Sequence, residues 1–324
     1  MVSWTVHLDM RAPSFGTPAP ELYRAALDLA AWADEHGVQS IAVSEHHGEE
    51  DGYLPSPLVM AAAVAARTER AFVAVNALAL TWRDPLLAAE EVLVLDHLSG
   101  GRAVVTVVPG YVPSEFELFG VDRRRRGAIF EEKLAVFAEA LTGEPVTWDG
   151  RTVRVTPPPV SRPRPMLVVG GASRAAARRA ARYGDAFAPT TDDGTLAAAY
   201  REECAALGRD PGPVFVHQGP MALFVHRDPE EAWRVIGPHA LHELNQYGKW
   251  AAMHEGHPYV DVTDVEAARA SGFYRVETPE GAIEHVRSLP PGQTVLFKPL
   301  MAGLDPAFGR AGLELFVDEV LPKL

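Results

Sequence analysis

Cysteine is all but missing from this chain. One residue, Cys204, stands among 324, so no internal disulfide can form and nothing marks an oxidising compartment. Lysine is nearly as scarce, with 4 against 26 arginines; with abundant alanine, this reads as a GC-rich bacterial genome. Positive charge is short overall, since 30 Lys and Arg against 43 Asp and Glu give a net charge of −13. So acidic a chain lacks the broad positive field that holds a phosphate backbone, and nucleic acid is not expected as a partner. No run approaches the ~18–20 apolar residues that span a bilayer. Met1 to Val6 has no basic segment leading into an apolar core, so neither membrane insertion nor a signal peptide is expected. The expected location is cytoplasmic. What is present is a globular balance, 47% hydrophobic and 23% charged, far from the composition of disorder.

Short β-rich runs alternate with longer amphipathic stretches. Trp4–Leu8 alternates as a strand, and Pro18–Glu35 carries apolar residues at helical spacing up to a His36-Gly37 stop. The pattern repeats through Val38–Ser44 and Pro57–Arg67, Phe72–Leu80 and Pro85–Leu98, then Arg102–Val108 and Arg124–Leu141. It resumes with Met166–Val169 and Ser173–Tyr183, Ala186–Ala188 and Leu196–Leu207, Val214–Val225 and Pro229–Tyr247. Thr294–Phe297 and Pro306–Val320 close it. About eight strand–helix units predict a parallel sheet with right-handed crossovers. The expected fold is an α/β TIM (β/α)8 barrel, which accounts for ~250 residues. The rest is a β-hairpin excursion near 145–156, signalled by Asp149-Gly150, and a lid-like insertion near 249–277 in the C-terminal third. The chain is read as one domain, 1–324. An open doubly wound sheet is disfavoured, because the first strand leads into Arg11-Ala12-Pro13-Ser14-Phe15-Gly16 rather than a G-x-G-x-x-G turn.

In such a barrel, chemistry sits at the C-terminal strand ends. Glu45-His46-His47 follows the second strand, Pro109-Gly110-Tyr111 the fourth, and Gly170-Gly171-Ala172-Ser173-Arg174 the fifth. The last group opens a helix. Its glycines let backbone N–H groups approach a ligand, and Ser173 and Arg174 add a hydroxyl and a charge. It reads either as an anion site, most simply for phosphate, or as an ordinary β–α turn with a serine cap. Histidine is the natural acid–base group near neutral pH, and a neighbouring carboxylate can orient it. A metal is not expected at Glu45-His46-His47, since adjacent strand residues point to opposite sides. Nor is one expected at His254-Glu255-Gly256-His257, which is one residue short of H-E-x-x-H and precedes Pro258. His239 and His242 are read as solvated or core histidines. The run Arg123-Arg124-Arg125-Arg126 is read either as a site for an anionic partner or, preferred here, as a solvated helix start paired with Glu131 and Glu132.

Ser44-Glu45-His46-His47, with Asp51-Gly52-Tyr53-Leu54-Pro55-Ser56-Pro57 behind it, resembles the bacterial luciferase-like flavin-dependent oxidoreductase family. So do Thr81-Trp82-Arg83-Asp84-Pro85 with Ala88-Ala89-Glu90-Glu91, and Leu95-Asp96-His97-Leu98-Ser99-Gly100-Gly101-Arg102. Pro109-Gly110-Tyr111 with Glu115-Phe116, Phe119-Gly120-Val121-Asp122 and Val169-Gly170-Gly171-Ala172-Ser173 continue the match in order over about two thirds of the chain. The set is specific; no single piece is. The resemblance implies a TIM barrel with a reduced flavin at its mouth. It matches His46 to the family's catalytic histidine, Glu45 to the adjacent acid, and Gly110 and Tyr111 to the flavin's surroundings. Asn76–Ala77 falls where the family has a non-proline cis peptide behind the flavin, and Gly170, Gly171, Ala172 and Ser173 match its phosphate turn. Pro109 departs from relatives that place an arginine there for the FMN phosphate, and Arg174 is the candidate replacement. His7 and Trp82, with Tyr111, are expected to shape the substrate pocket. The implied activity is a two-component monooxygenase using reduced FMN and O2 on a small organic substrate, with a separate flavin reductase, because no NAD fingerprint is present. A deazaflavin (coenzyme F-420) hydride-transfer enzyme and a non-catalytic flavin-binding protein are the alternatives. A homodimer is expected from the family and from the prevalence of symmetric oligomers. The insertion, with Tyr247, Trp250, Met253 and Tyr259, is read as a mobile lid.

Overall fold

The computed structural model describes residues 2–190, 194–216, 219–251, 262–290 and 292–324. Its elements run β1 (Ser3–His7), α1 (Ala19–Glu35), β2 (Ser40–Val43), α2 (Pro57–Ala65), β3 (Phe72–Ala79), α3 (Pro85–Ser99), β4 (Ala103–Val108), α4 (Pro113–Leu118), α5 (Arg126–Ala140), β5 (Val146–Trp148) and β6 (Arg151–Val153). They continue with β7 (Met166–Gly171), α6 (Arg174–Tyr183), β8 (Ala186–Pro189), α7 (Thr195–Ala206), β9 (Ala222–Val225), α8 (Pro229–Ala251), α9 (Val265–Ala270), β10 (Tyr274–Glu277), α10 (Pro279–Ser288), β11 (Thr294–Phe297) and α11 (Pro306–Leu315). Among the described residues no helix is long and apolar enough to cross a membrane.

Two compact units result. The first is Met1–Ala42, Glu49–Pro55 and His217–Leu324. There β1 lies between β11 and β2, parallel to both, and β9 pairs in parallel with β10. The alternation of β1 buries Trp4 and Val6, and Trp4 stands edge-on to Phe297 and Phe316 at 6.0 and 5.9 Å. Leu22, Ala26, Leu29 and Ala33 form the buried stripe of α1, the i, i+4, i+7, i+11 spacing of a helix with one wet face.

The second unit is Val43–Gly48 and Ser56–Val216. Its strands run β3-β4-β7-β8, all parallel. Val73, Val75, Val105, Val107 and Leu167–Val169 are buried; near-continuous apolar strands are what a parallel sheet covered on both faces requires. The Asn76–Ala77 bond is cis, and the β3–β4 register shifts between Asn76 and Leu78. Pro85 opens α3, whose Asp84 cap accepts the Leu86 and Leu87 N–H groups at 2.9 and 3.0 Å. The antiparallel pair β5–β6 turns at Asp149-Gly150.

Several sequence expectations need correction. Val214–Val225 contains a strand only after its Gly219-Pro220 interruption: β9 begins at Ala222, and Val214 makes just an isolated bridge to Phe187. The last helix is α-helical only to Leu315 and continues as a wider π-helical turn over Phe316–Val320. The 249–277 segment is not simply an insertion. α8 runs through Lys249 and Trp250, and residues 265–277 supply α9 and the paired strand β10. Tyr247 and Trp250 are not lid residues: the Trp250 indole is buried and donates to Glu49 at 3.2 Å, and the Tyr247 hydroxyl meets that of Tyr53 at 3.2 Å. Met253, Tyr259 and the His254–His257 motif lie outside the described residues.

Candidate active site

In the second unit, the four residues Ser44 to His47 follow the end of β2. Two carboxylates organise them. Glu45 is buried; its Oε1 pairs with His47 Nε2 at 2.5 Å and accepts from Arg83 Nη2 at 3.1 Å and Trp82 Nε1 at 3.4 Å. Its Oε2 accepts the Ala79 N–H at 3.1 Å. Glu115, on α4, takes His46: Nδ1 lies 2.9 Å from its Oε1, and the same oxygen accepts the His47 N–H at 3.0 Å. The adjacent acid Glu45 therefore holds His47, not His46. A strand end explains the division, because neighbouring side chains leave on opposite sides. Glu115 was not foreseen as a site residue. Its signal was a carboxylate in the first turn of a short helix directly after the fourth strand end.

Aromatic rings close this cluster. His46 stands edge-on to Tyr111 at 5.8 Å, and His47 edge-on to Phe119 at 4.8 Å and Trp82 at 5.7 Å. Trp82 stacks on Phe119 at 5.2 Å and meets Phe116 edge-on at 5.4 Å. Half-buried Trp82 is thus occupied by packing and by its bond to Glu45. Lys133 donates to the carbonyls of Thr81 and Arg83, both at 2.7 Å, which pins the loop carrying Trp82. Gly110 has φ 73°, and a Cβ there would fall 2.7 Å from the Trp82 ring, so only glycine fits. The Ser44 hydroxyl donates to the Asn76 carbonyl, tying β2 to the cis peptide.

The Gly170–Arg174 turn belongs to the same unit. Gly171 adopts φ 149°, and a Cβ there would meet Ala176 Cβ at 2.7 Å. Ser173 Oγ caps α6 by accepting the Ala176 N–H at 3.2 Å. Ala172, Ser173 and Arg174 are exposed, leaving the positive end of α6 open to an anion.

His7 lies in the first unit, at the end of β1, beside a charge network that sequence reasoning missed. Arg11 is fully buried; its Nη1 lies 3.2 Å from Asp9 and 3.1 Å from Glu243. Lys298 Nζ is 2.7 Å from Glu243, and Tyr274 donates its hydroxyl to that carboxylate at 2.5 Å. The Ala302 N–H donates to Asp9 at 3.0 Å. The Arg11 guanidinium lies over the rings of Tyr53 and Tyr247, at 4.4 and 4.8 Å. Burial, then Lys298 and Arg11 against the opposing Glu243, lower the His7 pKa to about 3, so its imidazole is neutral at physiological pH. Burial opposes ionisation of Glu243, but Lys298 and Arg11 overcome it and hold the group at about 2. The available signal was Asp9-Met10-Arg11 and Lys298 at strand ends. Neither flagged histidine is simply solvated: His239 Nδ1 bonds the Ala302 carbonyl at 2.9 Å, and His242 Nε2 bonds Asp51 at 2.8 Å. Among the described residues no group of three or more His, Cys, Asp or Glu could hold a metal ion.

Residues 4–289 match the model of the luciferase-like monooxygenase family, and the chain belongs to that family. The 4-hydroxyprotoasukamycin monooxygenase of Streptomyces nodosus subsp. asukaensis is 36% identical over 150 residues, 45% of this chain and 39% of that protein. The F420-dependent glucose-6-phosphate dehydrogenase of Nakamurella multipartita is 31% identical over 199 residues, 56% of this chain and 58% of that protein. The chain thus spans about half the length of these curated relatives. Among solved structures, monooxygenase RslO1 from Streptomyces bottropensis superposes with a TM-score of 0.80 at 26% identity, over 99% of both chains. The oxygenating constituent of 3,6-diketocamphane monooxygenase from Pseudomonas putida, solved with FMN, gives 0.75 at 20% identity over 100% of this chain and 98% of that one. The fold class is accordingly the TIM-barrel-like α/β fold of this family.

Proposed function

We propose that this chain is a flavin-dependent oxidoreductase: the oxygenating component of a two-component monooxygenase, using reduced FMN from a separate reductase and O2 on a small organic substrate. The observation that carries the reading is the Glu115–His46 pair at the strand end, with its nitrogen–oxygen distance of 2.9 Å. An ionised carboxylate only accepts hydrogen bonds, so the proton on that side belongs to His46 Nδ1 and proton exchange with a ligand runs through Nε2. His46 is the acid–base residue of this reading. Glu115 positions it, and Glu45 holds His47, Trp82 and Arg83 as the wall beside it.

The residues fit a phosphorylated flavin. Gly171 and Ser173 offer an exposed helix start whose packing excludes a Cβ at Gly171, and Gly110, Tyr111, Asn76 and Ala77 complete the set that would face the ring. When bound, the flavin would supply the electrons for oxygen chemistry; the protein supplies orientation and exclusion of water. His7, in the first unit and kept neutral, would serve as a hydrogen-bonding rather than a charged group. A cytoplasmic homodimer belongs to the same reading. The deazaflavin alternative is favoured by one feature, Pro109 in place of a phosphate-binding arginine.

Anaerobic titration with reduced FMN and, separately, a reduced deazaflavin, read by tryptophan fluorescence, tests this. FMN alone should bind, and oxygen consumption on a substrate screen should fall at least a hundredfold in His46→Ala, consistent with loss of an acid–base group. Tight binding of the deazaflavin alone would overturn the oxygen chemistry. Binding of neither would overturn the cofactor assignment, and full turnover by His46→Ala would remove His46 from it.

A further inference from the structure

Two neighbouring helices of the second unit, α2 and α3, turn apolar side chains outward. α2 reads Pro-Leu-Val-Met-Ala-Ala-Ala-Val-Ala, without one polar residue. Leu58, Ala61, Val64 and Ala65 are buried, yet Val59 is 72% exposed and Ala62 and Ala63 are half-buried. On α3, Leu87, Val94 and Leu98 are 56%, 47% and 49% exposed. They stand at i, i+7 and i+11, one stripe of the helix, broken only by exposed Glu91. A helix at a protein surface ordinarily shows charge on its wet face. Elsewhere in the unit this holds: α6 turns out Arg174, Arg178 and Arg182, and α7 turns out Arg201 and Glu202. Neither α2 nor α3 carries a lysine or an arginine.

The two helices pack side by side, so their outward faces adjoin. They differ in relief. Ala62, Ala63 and the exposed Ala66 that follows α2 leave that helix low, because alanine stops at Cβ. Leu87, Val94 and Leu98 make α3 a ridge. Helices meet by seating the ridge of one in the groove of the other. A surface holding a ridge beside a groove holds its own complement, which is what a two-fold, isologous contact requires. With 15 residues in α3 and 9 in α2, the joint face covers roughly 350 Å2 in projection. That is the scale of the apolar patches that mark interaction sites. It suits the core of an interface of ~800 Å2 per partner, with exposed Glu90 and His97, off the stripe, as polar rim. A membrane surface would call for basic residues beside the apolar face, and these helices have none.

We propose that the α2–α3 face is where two copies of this chain join, the leucine and valine ridge of one protomer seated on the alanine groove of its partner. The proposal rests on the homodimer of the functional reading and gives it an interface. That interface adjoins the candidate site. Asp84 caps α3 and directly follows Arg83, which donates to Glu45 at 3.1 Å. The partner would therefore brace the helix that begins at the Trp82–Arg83 loop.

Sedimentation equilibrium of the full chain at micromolar concentration tests it. The wild type should give twice the chain mass of 35.1 kDa. Leu87→Glu and Leu98→Glu should each raise the dimer dissociation constant about a hundredfold or more, since a two-fold axis buries the new charge twice. Ala63→Leu, which stays apolar but fills the groove, should raise it about tenfold. Leu98→Ser should raise it by about tenfold through lost burial alone, which keeps the test valid if a glutamate variant folds poorly. Leu207→Glu, at a comparably exposed leucine beyond the end of α7, should leave it unchanged. A monomeric wild type, wild-type association in both glutamate variants, or equal weakening by Leu207→Glu would overturn the proposal. Reduced-flavin titration is read separately: a dimer that binds no flavin would refute the flavin reading and leave this interface standing.

Discussion

Replacing Lys298 by methionine removes one charge from a buried set of four. Asp9, Arg11, Glu243 and Lys298 carry two positive and two negative charges and are each at most 3% exposed. At 2.7 Å from Glu243, Lys298 contributes a gross attraction of roughly 6 kcal/mol at an effective dielectric of about 20. Relief from desolvating the ammonium offsets part of that. Breaking a buried pair from one side costs about 3–5 kcal/mol, because the partner charge is left behind. Methionine keeps the stem's volume, so the loss is electrostatic. In a chain this long the melting temperature should fall by roughly 5–10 °C, with a matching drop in the urea midpoint followed by fluorescence of Trp4, Trp233 and Trp250. Lys298→Met with Glu243→Gln should recover more than half of the loss, since glutamine still accepts from Tyr274 and leaves no orphaned carboxylate. A single-variant loss below about 1 kcal/mol, or a double-variant loss equal to the sum of the two singles, would overturn the account of this network.

Stability should also fall on acidification. The folded values of about 3 for His7 and about 2 for Glu243 lie below their ordinary 6.5 and 4.5, so the unfolded chain binds more protons in between. The His7 contribution is complete above pH 6.5 and drains as pH falls toward 3; that of Glu243 drains between 4.5 and 2. Each slope approaches about 1.4 kcal/mol per pH unit. Denaturant midpoints at successive pH values check this, and a His7→Gln variant with an unaltered profile between pH 6.5 and 4.5 would contradict it. Gly171→Ala should cost ~1–3 kcal/mol through its backbone conformation and its clash with Ala176, and should weaken reduced-flavin binding; equal melting and equal affinity would count against the turn's assigned role.

The fold was legible where period and punctuation agreed. Pro85 with Asp84, and Asp149-Gly150, mark their elements because capping and turn chemistry are local. β10 was hidden because Tyr274–Glu277 is too short to show a period, and it came folded into the supposed insertion. The Glu45-His46-His47 cluster could be found from its position after a strand. Which acid holds which histidine could not, because Glu115 is 69 residues from His46 and adjacency in sequence pointed to Glu45. The network of Asp9, Arg11, Glu243 and Lys298 was invisible for the same reason: four charged residues look solvated until distant elements bring them together.

The scarcity of lysine takes on a practical meaning once the two internal donors are known. Lys133 is committed to two carbonyls and Lys298 to Glu243, whereas Lys249 and Lys323 are exposed. Amine-directed coupling would therefore fall, beyond the chain's own α-amine, on two side chains of the first unit. Crosslinkers, dyes and surface tethers with that chemistry would leave the histidine cluster unmodified, so the protein could be immobilised through its lysines with the candidate active site of the second unit chemically intact.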